Sequence, residues 1–147
     1  MGFKLAQSAV SKSKKVDKLS QNYLDLVDDL QKQLAVFQEA IASQSEPAPA
    51  IAKDWVIMHN QIQKNFQTKI VNTSLGLTSG LTSELTSELT PQNLSLQVEI
   101  DKQLKMLGVD LAMLQTSRSR ETWQKRHRQA SDRLILLERY CQMHYGD

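Results

Sequence analysis

The stretch Leu94-Ser-Leu-Gln-Val-Glu-Ile-Asp-Lys-Gln-Leu-Lys-Met-Leu-Gly-Val-Asp-Leu-Ala-Met-Leu-Gln115 decides the fold. Leu96, Ile100, Leu104, Leu107, Leu111 and Leu114 recur in steps of three and four, so a helix stacks them on one side. Met106, Val109 and Met113 form a second row that is expected to widen the buried arc. Thr90-Pro91 supplies a start signal, with Thr as N-cap and Pro at the first helical position. This segment is expected to be the central helix of a bundle.

Downstream, Trp123, His127, Ala130, Leu134, Leu137 and Cys141 make a further stripe within a basic segment from Arg118 to Tyr145. Leu114 and Trp123 are nine residues apart, two and a half turns, so a straight helix would point them in opposite directions. A turn near Thr116 to Ser119 resolves the conflict. One long helix whose halves serve different neighbours is the alternative.

Upstream, the apolar positions Val16, Leu19, Tyr23, Leu26, Leu30, Leu34, Phe37 and Ile41 predict an amphipathic helix that stops near Ser43. Gln44-Ser45-Glu46-Pro47-Ala48-Pro49 cannot continue it. A shorter helix follows with Ile51, Trp55, Met58, Ile62, Phe66 and Ile70, ending around Val71 to Thr73. The short link between these two helices predicts antiparallel packing.

Between the second and third helices lies a tandem repeat, Leu77-Thr78-Ser79-Gly80, Leu81-Thr82-Ser83-Glu84, Leu85-Thr86-Ser87-Glu88, Leu89-Thr90. Leucines four apart drift around a helix, and Thr and Ser are indifferent helix formers. Residues 74–89 are read as a flexible, dispensable linker, with Ser74 to Glu88 the most mobile internal part. An extra helical turn or two leading into the third helix is the rival. The fold expected is therefore all-α, an antiparallel bundle of about four helices with a long flexible linker before the third. Residues 15–147 form its single domain, and residues 1–14 are a mobile basic tail.

Composition agrees, since only 5% aromatic content with 3 Pro and 5 Gly disfavours a turn-rich β architecture. A net charge of +2 is too small to argue for nucleic acid. Its distribution is uneven: Met1 to Lys18 carries five lysines against Asp17, and Leu19 to Glu46 five acids against Lys32. Arg118 to Arg139 carries seven basic residues against Glu121, Asp132 and Glu138. One cysteine, Cys141, fits a reducing compartment. No segment has signal-peptide or membrane-span length, and Ala6 breaks the myristoylation pattern of Met1-Gly2, so a cytoplasmic location is expected.

Catalytic chemistry is not in evidence. Cys141 and His144 are spaced for one helix face, but a structural metal wants four ligands. His127 reads as a core histidine with satisfied hydrogen bonds. Asp110 lies within the apolar arc and is expected to pair with Arg118 or Arg133. Gly108 in mid-helix implies close approach by another helix, with Trp55 or Trp123 as neighbours. His59 raises a phosphotransfer reading, which needs an exposed ring, a nearby base and a small residue beside it. No nucleophile triad, carboxylate pair or glycine-rich phosphate loop occurs, so the chain is read as no enzyme, with no cofactor and no metal.

The sharpest binding surface is on the last helix. Opposite its apolar stripe lie Lys125, Arg128, Asp132, Ile135 and Arg139. An isoleucine flanked by arginines suits an acidic peptide with an apolar anchor, and a merely solvated face is the alternative. Lys125, Arg128, Ile135 and Arg139 are the candidate partner-binding residues. Helix-turn-helix spacing and aromatic platforms for single strands are missing, which speaks against nucleic acid.

The segment Glu99-Ile-Asp-Lys-Gln-Leu-Lys-Met-Leu-Gly-Val-Asp-Leu111, continuing to Leu114-Gln115, resembles the PatD family of heterocyst frequency-control proteins. So does Ser131-Asp-Arg-Leu134 with Leu137 and Tyr140-Cys141. The likeness covers roughly residues 96 to 141, with Trp55 to Ile70 a fainter second region. The repeat and the basic tail depart from it. The resemblance implies a small cytosolic cyanobacterial regulator that influences which filament cells become heterocysts. It also implies binding to the cell-division protein FtsZ, whose assembly the family modulates, and hence a place at the division ring. It assigns no site residues. Homo-oligomerisation stays open, as do a nucleic-acid or membrane-surface module and a phosphotransfer domain.

Overall fold

The computed structural model describes residues 14–78 and 90–144, with side chains for 23–75 and 90–144. Every regular element among them is helical: α1 (Lys14–Ala42), α2 (Pro49–Asn65), a π-helical turn (Phe66–Val71), α3 (Asn72–Thr78), α4 (Pro91–Thr116) and α5 (Arg120–Met143). The all-α bundle is thus as expected. The basic tail to residue 13 and repeat residues 79–89 lie outside the described residues.

The boundaries follow local chemistry. Helix α1 ends where Ser43 Oγ donates to the Ala40 carbonyl at 2.9 Å and Pro47 follows. Helix α2 opens with Pro49 in its first turn, where the missing N–H costs nothing. Thr90 caps α4 by accepting the Asn93 N–H at 3.0 Å. The expected turn between the last two helices is present. Helix α4 stops at Thr116, and Ser119 caps α5 by accepting the Thr122 N–H at 3.1 Å. Ser117 Oγ, donating to the Met113 carbonyl at 2.6 Å, and the Ser119 cap make two helices of what could have been one.

Beyond α2 the structure corrects the sequence reading. The chain does not leave the helix at Val71 to Thr73 but runs through the π turn to Thr78. Residues 74–78 are therefore helix rather than linker, and Ser74 is buried. Phe66, Ile70 and Ser74, four apart, are all buried. In an α-helix such positions drift off one face, and the wider turn returns them to the core.

Neighbouring helices run antiparallel. At one end Tyr23 of α1 meets Gln97 of α4, whose Nε2 donates to its hydroxyl at 3.1 Å, and the His144 ring beyond α5. At the other end His127 of α5 reaches Ile41 of α1 and Trp55 of α2. Helix α5 packs between α1 and α4, and α4 packs between α5 and α2. The fourth seam, between α1 and α2, is left as a groove.

The core is built from the expected leucines, and Leu104, Leu107, Leu111 and Leu134 are all buried. In α1 the inward row uses Val27, while Leu26 is only partly covered. His127 stacks on Trp123 with ring centroids 4.7 Å apart. Its Nε2–H donates to the Ile41 carbonyl at 2.6 Å, so this histidine is hydrogen-bonded as expected, although it is half-buried at the edge of the core and not within it. Asp110 pairs with Arg133, not Arg118: Nε lies 2.8 Å from Oδ2, and Nη1 donates to Gln103 at 2.6 Å. That network stitches α4 to α5.

Gly108 has a different neighbour from the tryptophans expected. A Cβ there would lie 2.7 Å from Cε1 of His59. The bare backbone lets the buried His59 ring reach across, with Nε2 2.6 Å from the Leu104 carbonyl. A carbonyl only accepts, so Nε2 carries the hydrogen. The oxygen's second lone pair takes this bond beside the ordinary helical one.

Candidate protein-binding surface

Helix α5 is amphipathic in both senses. Trp123, Ala130, Leu134, Leu137 and Cys141 are buried, and the opposite side is open. Lys125, Arg128, Ile135 and Arg139 are all exposed, Ile135 to 45%. At 3.6 residues per turn they fall within one quadrant of the helix, together with Glu121 and Asp132. Among the described residues none of the three cations takes part in an ion pair. Their charge is available to a partner.

Helix α4 adds a row that the sequence reading placed in the core. Met106, Val109 and Met113 do not widen the buried arc: they are 41%, 55% and 39% exposed, and Val98 is 67% exposed. The six-residue row from Leu96 to Leu114 already fills the space towards α2 and α5. Nothing among the described residues covers the reverse side. Lys102 and Lys105 lie in the same outer row, Lys105 paired with Asp101 at 2.8 Å. A helix apolar on nearly every side normally has partners on every side. The apolar pattern alone does not distinguish such a face from a broad core. Two methionines suit such a face, because their flexible thioethers adapt to a partner.

Between these rows runs a shallow recess of about 260 Å³ lined by Gln103, Gln129, Asp132, Arg133 and Leu136. Arg133 Nη1 also lies 3.5 Å from the Met106 sulfur, so the recess joins the α4 row to α5. The outer surface of α4 and α5 thus alternates apolar anchors with cations. An acidic segment carrying apolar side chains would find both kinds of contact there.

The other candidate side chains, His59, Cys141 and His144, are buried. The His59 ring is 4% exposed and its Nε2 is bonded to Leu104, so it does not present the open nitrogen that phosphotransfer requires. Burial, with a smaller contribution from Glu138, pushes the Cys141 thiol up to about 12, which removes it as a nucleophile near neutral pH. Cys141 and His144 are both buried, and among the described residues no three His, Cys, Asp or Glu side chains are grouped to hold a metal. No helix of the described residues is long and apolar enough to cross a membrane. The acidic α1 and basic α5 do lie side by side, but the one ion pair from α5 in that direction, Arg120 with Glu46, reaches the connection after α1, is exposed and contributes little. No family model, curated protein or solved structure matches this chain.

Proposed function

We propose that the protein is a non-enzymatic helical adaptor of cyanobacteria that modulates heterocyst frequency by binding FtsZ and influencing its assembly. One observation carries the binding reading. Val98, Met106, Val109 and Met113 stand exposed on α4, beside the unpaired cations and Ile135 of α5. Exposed apolar anchors ringed by cations match a negatively charged, partly apolar segment of a partner. The choice of FtsZ rests on the resemblance of residues 96 to 141, and with it the cytoplasmic setting at the division ring.

Binding of purified FtsZ to the immobilised protein tests this. Arg128→Glu with Arg139→Glu is expected to weaken binding at least tenfold, about 1.4 kcal/mol, with helicity and melting unchanged. Normal affinity in that double variant would move the interface off α5. No affinity of the wild type for FtsZ would end the reading.

A further inference from the structure

The seam between α1 and α2 is a groove of about 380 Å³ floored by Val36, Met58 and Ile62, with the amides of Gln33, Gln61 and Asn65 at its rim. It continues past Leu30, Phe66 and Ile70 for about 240 Å³ more. Val36 is 61% exposed in the middle of a long, regular helix. Charges of both signs surround it. Asp25, Asp28 and Asp29 lie on α1, and Asp54 stands one turn before Met58 on α2. Lys32, bound to Asp28 at 3.0 Å, lines the groove itself, and Lys69 lines its continuation.

The same molecule carries the complement of this groove on another side, an apolar knob flanked by arginines. We propose that the groove receives α5 of a second copy, head to tail, with Ile135 seated against Val36, Met58 and Ile62. The spacings agree. Arg128 precedes Ile135 by seven residues and Arg139 follows it by four; Asp29 precedes Val36 by seven and Asp54 precedes Met58 by four. At a rise of about 1.5 Å per residue these are offsets of about 10 Å and about 6 Å. Helices α1 and α2 are antiparallel, so Asp29 and Asp54 lie on opposite sides of the knob's level. A partner α5 running parallel to α1 therefore brings Arg128 to Asp29 and Arg139 to Asp54 while Ile135 enters the groove.

Groove and knob are different surfaces, so the contact is heterologous and each docked copy leaves one of each free. Assembly is then open-ended or closes into a ring, and it weakens as salt screens the carboxylates and guanidinium groups. The inference concerns a second copy only and does not depend on the FtsZ reading.

Sedimentation and light scattering from low micromolar to near-millimolar protein test it. Wild-type mass is expected to climb past that of a dimer and to fall when salt is raised. Val36→Lys and Ile135→Lys, each placing an ammonium against the apolar floor, are expected to be monomeric when alone. Their equimolar mixture is expected to form one-to-one dimers, because the first keeps its knob and the second its groove. A wild-type mass that stays monomeric or levels at a dimer overturns the proposal, as does a mixture that stays monomeric. Gln61→Lys and Arg139→Glu, both exposed, form a second pair should either lysine variant lose helicity. Normal FtsZ binding by Val36→Lys, whose α5 row is intact, would separate the two readings.

Discussion

The α4–α5 seam and the α1–α2 seam use the same kinds of residue to opposite ends. In the first, facing leucines are buried and a guanidinium–carboxylate pair with a glutamine amide closes the edge. In the second, the apolar rows of both helices turn towards the remaining two, and amides and an exposed valine are left at the boundary. A seam closes when both partners commit their apolar arc and the polar groups at its edge find each other. Where only the margins of two arcs meet, a groove remains. The first kind of seam holds the molecule together, and the second leaves a surface for something else.

Single truncations should separate the two. Leu107→Ala at the closed seam is expected to cost ~2–5 kcal/mol, whereas Val36→Ala at the open one should stay within about 0.5 kcal/mol. Urea denaturation monitored by circular dichroism measures both. Equal losses would mean that the groove is as much a part of the core as the leucines are.

The polar stitch comes next. Arg133→Ala leaves the Asp110 carboxylate, only 8% exposed, without its partner. Because Arg133 itself keeps some contact with water, a loss of about 3 kcal/mol is expected, at the low end for a broken buried pair. An Arg133→Met variant that keeps full stability would show that packing alone closes this seam.

Gly108→Ala pits helix propensity against space. Alanine should gain about 1 kcal/mol in propensity, but its methyl would sit 2.7 Å from the His59 ring. Overpacking typically costs ~1–3 kcal/mol, so a net loss is expected. In a His59→Ala background the same substitution should stabilise. A loss in both backgrounds would remove His59 as the reason for the glycine.

The smallest effect concerns pH. Burial pushes His144 below its ordinary value of 6.5, against the opposing effect of hydrogen bonds to the Tyr140 and Asn93 backbone. The folded state then binds fewer protons than the unfolded one between the lowered value and 6.5. This contribution is complete above 6.5 and declines as pH falls through that window. Glu138, raised by burial and by Glu39, acts in the opposite direction, so the histidine must be isolated by substitution. Between pH 7 and about 5.5, wild type should lose more melting temperature than His144→Gln. Parallel profiles would assign the pH dependence elsewhere.

The fold was legible because its signals are periodic and local. The inward rows of α4 and α5 and most of that of α1, the stop near Ser43, the turn near Thr116 to Ser119 and the cap at Thr90 all follow from spacing and polar chemistry within a few residues. The cation row of α5 was legible for the same reason, since a helix with one apolar stripe must expose the other side. The outer row of α4 was not. Its residues are apolar, and a helical pattern does not say how many neighbours are present to cover it.

By itself, then, the sequence determined the number and order of the main helices, most of their inward positions, the hairpin break near Ser117 and the pairing of Asp110 with an arginine. Tertiary structure alone decided what meets what across the bundle. His59 rather than a tryptophan lies over Gly108, Arg133 rather than Arg118 holds Asp110, and the π turn carries Phe66, Ile70 and Ser74 into the core. It also decided that Val98, Met106, Val109 and Met113 face outward and that the α1–α2 seam stays open. The physical reason is one of range. Backbone hydrogen bonds and apolar periodicity act over three or four residues and are written along the chain. Burial depends on how many helices surround a face, which the chain settles only when it packs.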